Sequence, residues 1–228
     1  MFFNYFELTE HPFAETPRVE ALMHDERFEK ALNRLEFFRQ TGKLALIIGQ
    51  TGTGKSSLLR LFTRRLPGNQ CHPVYFHMTP ISPNALLRMI VSELGEAPKL
   101  GKDRLFAQLT GRVGRNEGQT LLIIDEAHLL PSQALTDLRL LISTGLEAAL
   151  PLAIILCGQE PLGVMLKRSR HADLLNRICV RVRLGSLTPA QTAAYIDHRI
   201  RTAGGTDRIF DPEAKKLIHE FSGGMRQR

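Results

Sequence analysis

The sequence contains no tryptophan and only three cysteines, which form neither a C-x-x-C pair nor a Cys/His ligand spacing. An odd number of widely spaced cysteines argues against a disulfide framework and against a zinc site. We therefore expect Cys71, Cys157 and Cys179 to be reduced thiols of a cytosolic protein. The apolar runs around Cys157 and Cys179 predict that both side chains fill the core.

Long hydrophobic runs are also missing. The longest, residues 148–158, has 11 residues and contains Pro151, so it is too short to cross a bilayer. The first six residues carry no basic leader and no cleavage pattern of a secretory signal. These observations predict a cytoplasmic chain with no membrane segment in the residues given.

Acidic residues are fewer than basic ones, 23 against 30, which gives a net charge of +7. The excess is concentrated in residues 161–201, where Asp173 and Asp197 are the only acidic residues. The basic residues of this segment are Lys167, Arg168, Arg170, Arg177, Arg181, Arg183, Arg199 and Arg201. The segment is compatible with an ordinary solvated surface or with contact to a polyanion such as nucleic acid.

Short buried runs alternate with helical patterns along most of the chain. Strands are predicted at 44–48, 74–77, 121–124, 152–157 and 178–184. Helices are predicted at 25–40 with Asp25 as the cap, 55–65, 83–94 with Ser82 as the cap, 103–115, 133–149 and 162–167. This alternation predicts an α/β fold with a five-stranded parallel sheet between helices.

The pattern changes to helices alone after residue 187, at 189–202 and 212–221. We therefore divide the chain into an N-terminal arm (1–24), an α/β domain (25–186) and a helical segment (187–228). Two helices bury little core by themselves, so we expect residues 187–228 to be the start of a helical domain that is incomplete here.

A phosphate-binding loop follows the first predicted strand. Its residues are Gly49, Gln50, Thr51, Gly52, Thr53, Gly54, Lys55 and Ser56, with Ser57 next to them, and they fit G-x-x-x-x-G-K-[ST]. The glycines allow backbone N–H groups to point at phosphate oxygens, and the helix N-terminus adds partial positive charge. Lys55 is predicted to reach the β- and γ-phosphates, and Ser56 to ligate Mg²⁺.

Two carboxylates end the third predicted strand, in Leu121–Ile124 followed by Asp125 and Glu126. Burying such a pair costs several kcal/mol unless the carboxylates are paired or bound to metal. Asp125 is predicted to bind Mg²⁺, directly or through water, and Glu126 to orient the attacking water. The second carboxylate favours hydrolysis over phosphoryl transfer to a substrate. His128 is interpreted as a packing residue.

Taken together, the chain resembles the AAA+ ATPase superfamily and, within it, the ExeA-like group, which is similar to the TniB and TnsC ATPases of transposons. The resemblance depends on five stretches of sequence: residues 6–13 with Thr16-Pro17, the loop at 49–56, residues 125–130, residues 155–162 and residues 222–226. It implies a P-loop NTPase fold followed by a helical lid, with ATP and Mg²⁺ as cofactors. Adenine is preferred over guanine on this resemblance, since no Asn-Lys-x-Asp motif is present.

The resemblance also implies roles for three residues outside the loop. Gln159 matches the first sensor, which holds the attacking water or the γ-phosphate. Arg177 matches the arginine offered to a neighbouring subunit's ATP, a role for which Arg168 and Arg170 compete. Arg226 matches the second-sensor arginine of the lid.

The leading functional hypothesis is an ATP-dependent AAA+ protein that forms rings or filaments on double-stranded DNA and recruits a transposase. ATP would lie between subunits of this homo-oligomer. The first alternative is an ExeA-like ATPase for assembly of a secretion or pilus apparatus. The second is a nucleotide-gated binding module that rarely or never hydrolyses ATP.

Overall fold

The computed structural model describes residues 2–14, 17–82, 84–143, 150–206 and 208–226. Five strands form one parallel sheet in the order β2-β3-β4-β1-β5. Their bounds are Leu44–Gly49 (β1), Cys71–His77 (β2), Gln119–Asp125 (β3), Leu152–Gly158 (β4) and Ile178–Leu184 (β5). The predicted five-stranded parallel sheet is confirmed, with β2 and β3 starting earlier than the apolar pattern indicated.

Helices connect and follow the strands. They are Phe2–Tyr5 (α1), Glu26–Thr41 (α2), Lys55–Arg64 (α3), Ala85–Glu93 (α4), Lys102–Gly114 (α5), Ser132–Ser143 (α6), Glu160–Leu166 (α7), Ala172–Asn176 (α8), Pro189–Thr202 (α9) and Pro212–Ser222 (α10). Thr16, part of the N-terminal resemblance, and Pro83, predicted to begin a helix, lie outside the described residues. So do residues 144–149, where the helix after β3 was predicted to end.

The sheet separates two hydrophobic layers, because alternate residues of each strand face opposite sides. Leu122 of β3 and Ile154 of β4 pack with α4, α5 and α6, whereas Ile123 and Ile155 pack with α2 and α3. Parallel strands covered on both faces place their carboxyl ends at one edge of the sheet. Gly49, Asp125 and Gly158 end β1, β3 and β4 and therefore meet at this edge.

Two sequence predictions about individual residues are wrong. Cys179 is exposed, and its thiol donates to the carbonyl of Leu44 at 3.3 Å. It lies on β5, an edge strand with one buried and one exposed face, so an apolar run did not mean burial of every side chain. Ser82 does not cap α4, which begins at Ala85 without a side-chain cap bond.

The predicted cap at Asp25 is confirmed, since its carboxylate accepts from the backbone N–H of Phe28 at 3.0 Å. In the helical segment, Thr188 and Gln191 form a reciprocal capping box at the start of α9. Among the described residues, no helix is long and apolar enough to cross a membrane.

The N-terminal arm packs against α9 and the turn after it. The backbone N–H and the hydroxyl of Thr9 both donate to the carbonyl of Ala203, at 2.8 and 3.0 Å. His198 of α9 lies 3.2 Å from the carbonyl of Ala21. These contacts fix the N-terminal arm against the helical segment.

Candidate nucleotide-binding site

The loop after β1 requires glycine at both ends of its turn. A Cβ at Gly49 would lie 2.6 Å from Oγ1 of Thr53 and 2.7 Å from the carbonyl oxygen of Leu184. Gly54 precedes α3 with φ +97°, which is a left-handed conformation that other residues rarely adopt. The loop therefore closes tightly and presents the N-terminus of α3 to the cavity above it.

Lys55 is folded into this loop. Its side chain is 5% exposed, and Nζ donates to the carbonyl of Gln50 at 3.1 Å. An ammonium group has three donors, so one contact to the loop leaves capacity for phosphate oxygens.

Asp125 connects β3 to the loop. Its carboxylate is fully buried, and Oδ2 accepts from the hydroxyl of Ser56 at 3.0 Å and from that of Tyr75 at 2.8 Å. Oδ1 accepts from the backbone N–H of Glu126 at 2.9 Å. The residues predicted as metal ligands, Ser56 and Asp125, are thus brought into direct contact.

This pair fits Mg²⁺, which prefers hard oxygen ligands and usually takes only one or two from protein, with the others from water and phosphate. No cluster of three or more His, Cys, Asp or Glu side chains suited to a metal occurs in the part of the chain that the structure describes. A hydroxyl and a carboxylate beside a phosphate-binding loop therefore match Mg²⁺ that enters with a triphosphate.

Tyr75 was missed by the sequence reasoning. The residue is 48% exposed, but partial burial of its phenol, and then the negative charge of Asp125, raise the pKa of that phenol, so the hydroxyl remains a donor to Asp125. Tyr75 pairs in register with Ile123, two residues before Asp125 and on the same face of β3. The sequence carries no direct signal for this register.

Glu126 has φ +54°, one of two non-glycine residues with positive φ in the described chain. Its Oε2 lies 3.4 Å from Nε2 of Gln159, which donates to it, and 3.2 Å from Nδ1 of His128. Strain of this kind concentrates at functional sites. The backbone aims the second carboxylate at the cavity instead of continuing β3.

A cavity of about 580 Å³ lies above the loop, lined by Lys55, Ser56 and Glu126 on one side. Its other walls come from the N-terminal arm (Phe13, Pro17, Leu22, Met23) and from the helical segment (Tyr195, Arg199, Arg226). The size is that of a small-molecule site. The loop side of the cavity is polar and the side formed by the N-terminal arm is apolar, which suits a phosphorylated, ring-containing ligand.

Arg226 joins the helical segment to the loop. Its backbone N–H donates to the carbonyl of Gly52 at 2.9 Å, and its guanidinium lies 3.1 Å from Asp25. The guanidinium also stacks 4.4 Å from the ring centroid of Phe28 and 5.2 Å from that of Tyr195. Burial lowers its pKa, although an arginine stays protonated.

A protein-family model described as an AAA domain matches residues 38–166. This match covers more than half of the chain and includes the loop, Asp125 and Glu126. The chain belongs to the AAA domain family.

Two curated relatives match nearly all of this AAA protein. "General secretion pathway protein A" of Aeromonas hydrophila is 30% identical over 99% of the chain, which spans 42% of that relative. "Mu-like prophage FluMu DNA transposition protein B" of Haemophilus influenzae is 26% identical over 94% of the chain and 71% of that relative. The predicted resemblance to the ExeA-like and transposition ATPases is confirmed.

Among solved structures, the Aeropyrum pernix ORC1 protein in complex with DNA superposes with a TM-score of 0.68 at 20% identity. The superposition covers 93% of the present chain and 57% of the ORC1 chain. The likeness confirms the predicted AAA+ P-loop fold.

The remaining predicted residues of the AAA protein occupy different places. Gln159 follows β4, contacts Glu126 and borders a second opening beside the loop. Arg177 is exposed at the end of α8 and does not line the nucleotide cavity. Arg168 and Arg170 are exposed on the preceding turn. The structure therefore brings Gln159 to the site and leaves the three arginines facing outward.

Two further residues were not predicted as site residues, Arg199 in the cavity wall and Asp25 beside it. Arg199 is 5% exposed and donates to the hydroxyl of Tyr195 at 3.2 Å and to the carbonyl of Ala14 at 3.3 Å. Asp25 was assigned only as a helix cap, yet it also pairs with Arg226. Their roles depend on long-range packing of the arm against α9.

Proposed function

We propose that the protein hydrolyses ATP with Mg²⁺ at this cavity. The 3.0 Å hydrogen bond between Ser56 and Asp125 supports this most strongly, because it joins the phosphate-binding loop to the acidic strand end. Glu126 borders the same cavity as Lys55. The second carboxylate supplies a group that can orient the attacking water, which nucleotide binding alone would not require.

Each residue has a proposed task. The loop amides of residues 49–56 and Lys55 bind the phosphates, with Ser57 beside them at the start of α3, and Ser56 and Asp125 hold Mg²⁺. When bound, Mg²⁺ neutralises charge on the phosphate oxygens. Glu126 orients the attacking water, and Gln159 positions Glu126 or the γ-phosphate. Arg226 contacts the nucleotide from the helical segment.

Two variants test hydrolysis separately from binding. Lys55→Ala should abolish MgATP binding, measured by calorimetry. Glu126→Gln should bind ATP as tightly as the unmodified protein and lose at least about 10²-fold in turnover. Negligible turnover in the unmodified protein, together with intact biological function in Glu126→Gln, would instead support a nucleotide-gated binding module.

The proposed assembly is a homo-oligomer with ATP between subunits and Arg177 supplied by the neighbour. An exposed arginine outside its own cavity suits this role. Lys55→Ala and Arg177→Ala should each be inactive alone. Mixed, they should regain ATPase activity, because one interface then combines an intact loop with an intact arginine. Arg168→Ala and Arg170→Ala are the matched alternatives, and rescue with one of these in place of Arg177→Ala would reassign the role.

The proposed partner is double-stranded DNA, with recruitment of a transposase. The transposition protein B relative supports this proposal, as does the exposure of seven of the eight basic residues in 161–201, all but Arg199. Contacts to phosphate would make binding steeply dependent on salt. Duplex DNA should raise the ATPase rate and the particle size at low salt, and no change in either would remove this proposal.

The second candidate is an ATPase for assembly of a secretion or pilus apparatus. It is favoured by the 30% identity to secretion pathway protein A over 99% of the chain. The site chemistry would be the same and only the partner would differ. Co-purification with secretion components, together with ATPase activity indifferent to DNA, would favour it.

A further inference from the structure

A second concave surface lies far from the nucleotide cavity, on the outer face of α5. It is a groove of about 480 Å³ between α5 and the loop that follows α4. The loop is fixed along α5, since the side chain of Gln108 accepts from the backbone N–H of Lys99 at 2.9 Å and donates to the carbonyl of Ala97 at 3.0 Å. The groove is therefore a formed feature of the fold.

The groove is strongly basic. Four cationic side chains line it, Lys99, Arg104, Arg112 and Arg115, against the single carboxylate of Glu96. Within the described residues none of the four makes an ion pair, whereas Glu96 already accepts from Gln108 at 3.2 Å. The uncompensated charge favours an anionic ligand over an ordinary solvated surface.

The floor of the groove is made of small residues. Ala107 and Gly111 lie between Arg104 and Arg115 on one face of α5. At 1.5 Å per residue the two arginines are about 17 Å apart along the helix axis. A duplex carries about one charge per 1.7 Å, so such a spacing brackets several phosphates.

Gly111 leaves the floor of the groove open. It lies within α5 without a positive φ, so the backbone does not require glycine there. A Cβ at Gly111 would meet no atom within 4 Å, so internal packing does not require glycine either. Glycine destabilises a helix interior, but without a side chain at this position the helix backbone is accessible to a ligand in the groove.

We propose that this groove binds the phosphate backbone of double-stranded DNA. The inference rests on the DNA partner of the proposed function and assigns it a surface separate from the basic segment at 161–201. Arg104 and Arg115 contact phosphates at the two ends, and the Ala107–Gly111 floor lets the strand approach. Arg112 is held by the carbonyl of Leu94 at 3.1 Å and contributes charge from a fixed position.

The charge test compares two double variants of the full chain with MgATP, using anisotropy of a fluorescein-labelled duplex over a sodium chloride series. Arg104→Gln/Arg115→Gln should weaken binding by at least about tenfold and lower the salt slope by roughly 2. Lys30→Gln/Lys216→Gln removes the same charge from exposed ion pairs on α2 and α10 and should bind nearly as the unmodified protein does. Equal losses in both double variants would overturn the groove.

The shape test keeps the charge unchanged. Gly111→Leu fills the floor and should weaken binding by about fivefold or more, while its melting temperature is maintained or raised because leucine favours helix. Gly111→Ala adds one methyl group and should bind almost normally. Unchanged affinity of a folded Gly111→Leu would overturn the proposal.

Failure of the groove can be distinguished from failure of the DNA partner. If the unmodified protein hydrolyses ATP but binds no duplex, the proposal of DNA as partner is wrong. If the unmodified protein binds duplex and Arg104→Gln/Arg115→Gln binds it equally well, only the assignment of the groove is wrong.

Discussion

The hydroxyl of Tyr75 donates to Oδ2 of Asp125 at 2.8 Å, the same oxygen that accepts from Ser56. Tyr75 comes from β2 and not from the loop, so it positions a proposed Mg²⁺ ligand without belonging to the loop. Removing its hydroxyl should loosen the carboxylate and leave the phosphate-binding amides intact.

Tyr75→Phe should therefore raise the Mg²⁺ concentration that gives half-maximal ATPase activity by about threefold to tenfold. A change of this size corresponds to the free energy of roughly one hydrogen bond. ATP binding measured in EDTA should be unchanged. Tyr5→Phe, at a tyrosine that is 81% exposed, is the control. Superimposable Mg²⁺ curves for the two variants would rule out the positioning role.

Asp25 combines a helix cap with an ion pair to Arg226, and these can be separated. Asp25→Asn keeps an acceptor for the N–H of Phe28 but loses the charge that pairs with both Arg226 at 3.1 Å and Arg27 at 2.6 Å. We expect it to lower the free energy of unfolding by about 1–3 kcal/mol, because a buried guanidinium loses its partner. Asp25→Ala should cost about 1 kcal/mol more through loss of the cap.

The measurement for Asp25 is urea unfolding, with Asp211→Asn as the matched control. Asp211 caps α10 by accepting from Ala214 at 2.7 Å and is exposed. Its amide variant should be nearly neutral. If the two asparagine variants were equally stable, the ion pairs of Asp25 with Arg226 and Arg27 would contribute nothing to the folded state.

Glu126 is held at φ +54°, which glycine adopts without strain. Glu126→Gly should therefore stabilise the protein by about 0.5–1 kcal/mol while abolishing turnover. Glu126→Gln keeps the strained backbone and should give no such gain. Thermal unfolding of the two variants without nucleotide checks this, and equal melting temperatures would show that the backbone there is not strained.

His171 gives the protein a pH-dependent stability. Its ring is 1% exposed, contacts the hydroxyl of Ser132 at 2.8 Å, and has a pKa lowered first by burial and then by Arg170 and Arg168. The unfolded chain then binds more protons than the folded one, so stability is complete above the unfolded pKa of about 6.5 and is lost as pH falls below it.

The free energy of unfolding of His171→Gln should fall less between neutral and mildly acidic pH than that of the unmodified protein. His11→Gln, at an exposed histidine, should keep the full dependence. A pH dependence in His171→Gln as steep as that of the unmodified protein would assign the effect to other groups.

The sequence predicted the fold and the loop because both depend on local patterns. An apolar strand at Leu44–Ile48 followed directly by the glycine-rich loop and Lys55 is a specific pattern for a phosphate-binding loop. The Asp125–Glu126 pair stood out because carboxylates at the end of an apolar strand are costly without a partner. Such signals require only neighbouring residues.

The errors and omissions came from contacts between distant segments. Cys179 was misjudged because strand order, which places β5 at the edge, is not written in one apolar run. Tyr75, Arg199 and the second role of Asp25 depend on strand register and on packing of the arm against α9. Such contacts have no short-range signature.

The hydrogen bonds from Thr9 to Ala203 and from Arg199 to Ala14 have a practical consequence. Shortening the protein to a core that starts at residue 25 would strip one wall from the nucleotide cavity and leave α9 without its covering. Such a shortened protein would bind nucleotide weakly even with every phosphate-contacting residue intact. Loss of affinity on truncation would therefore not be evidence against phosphate binding by the loop.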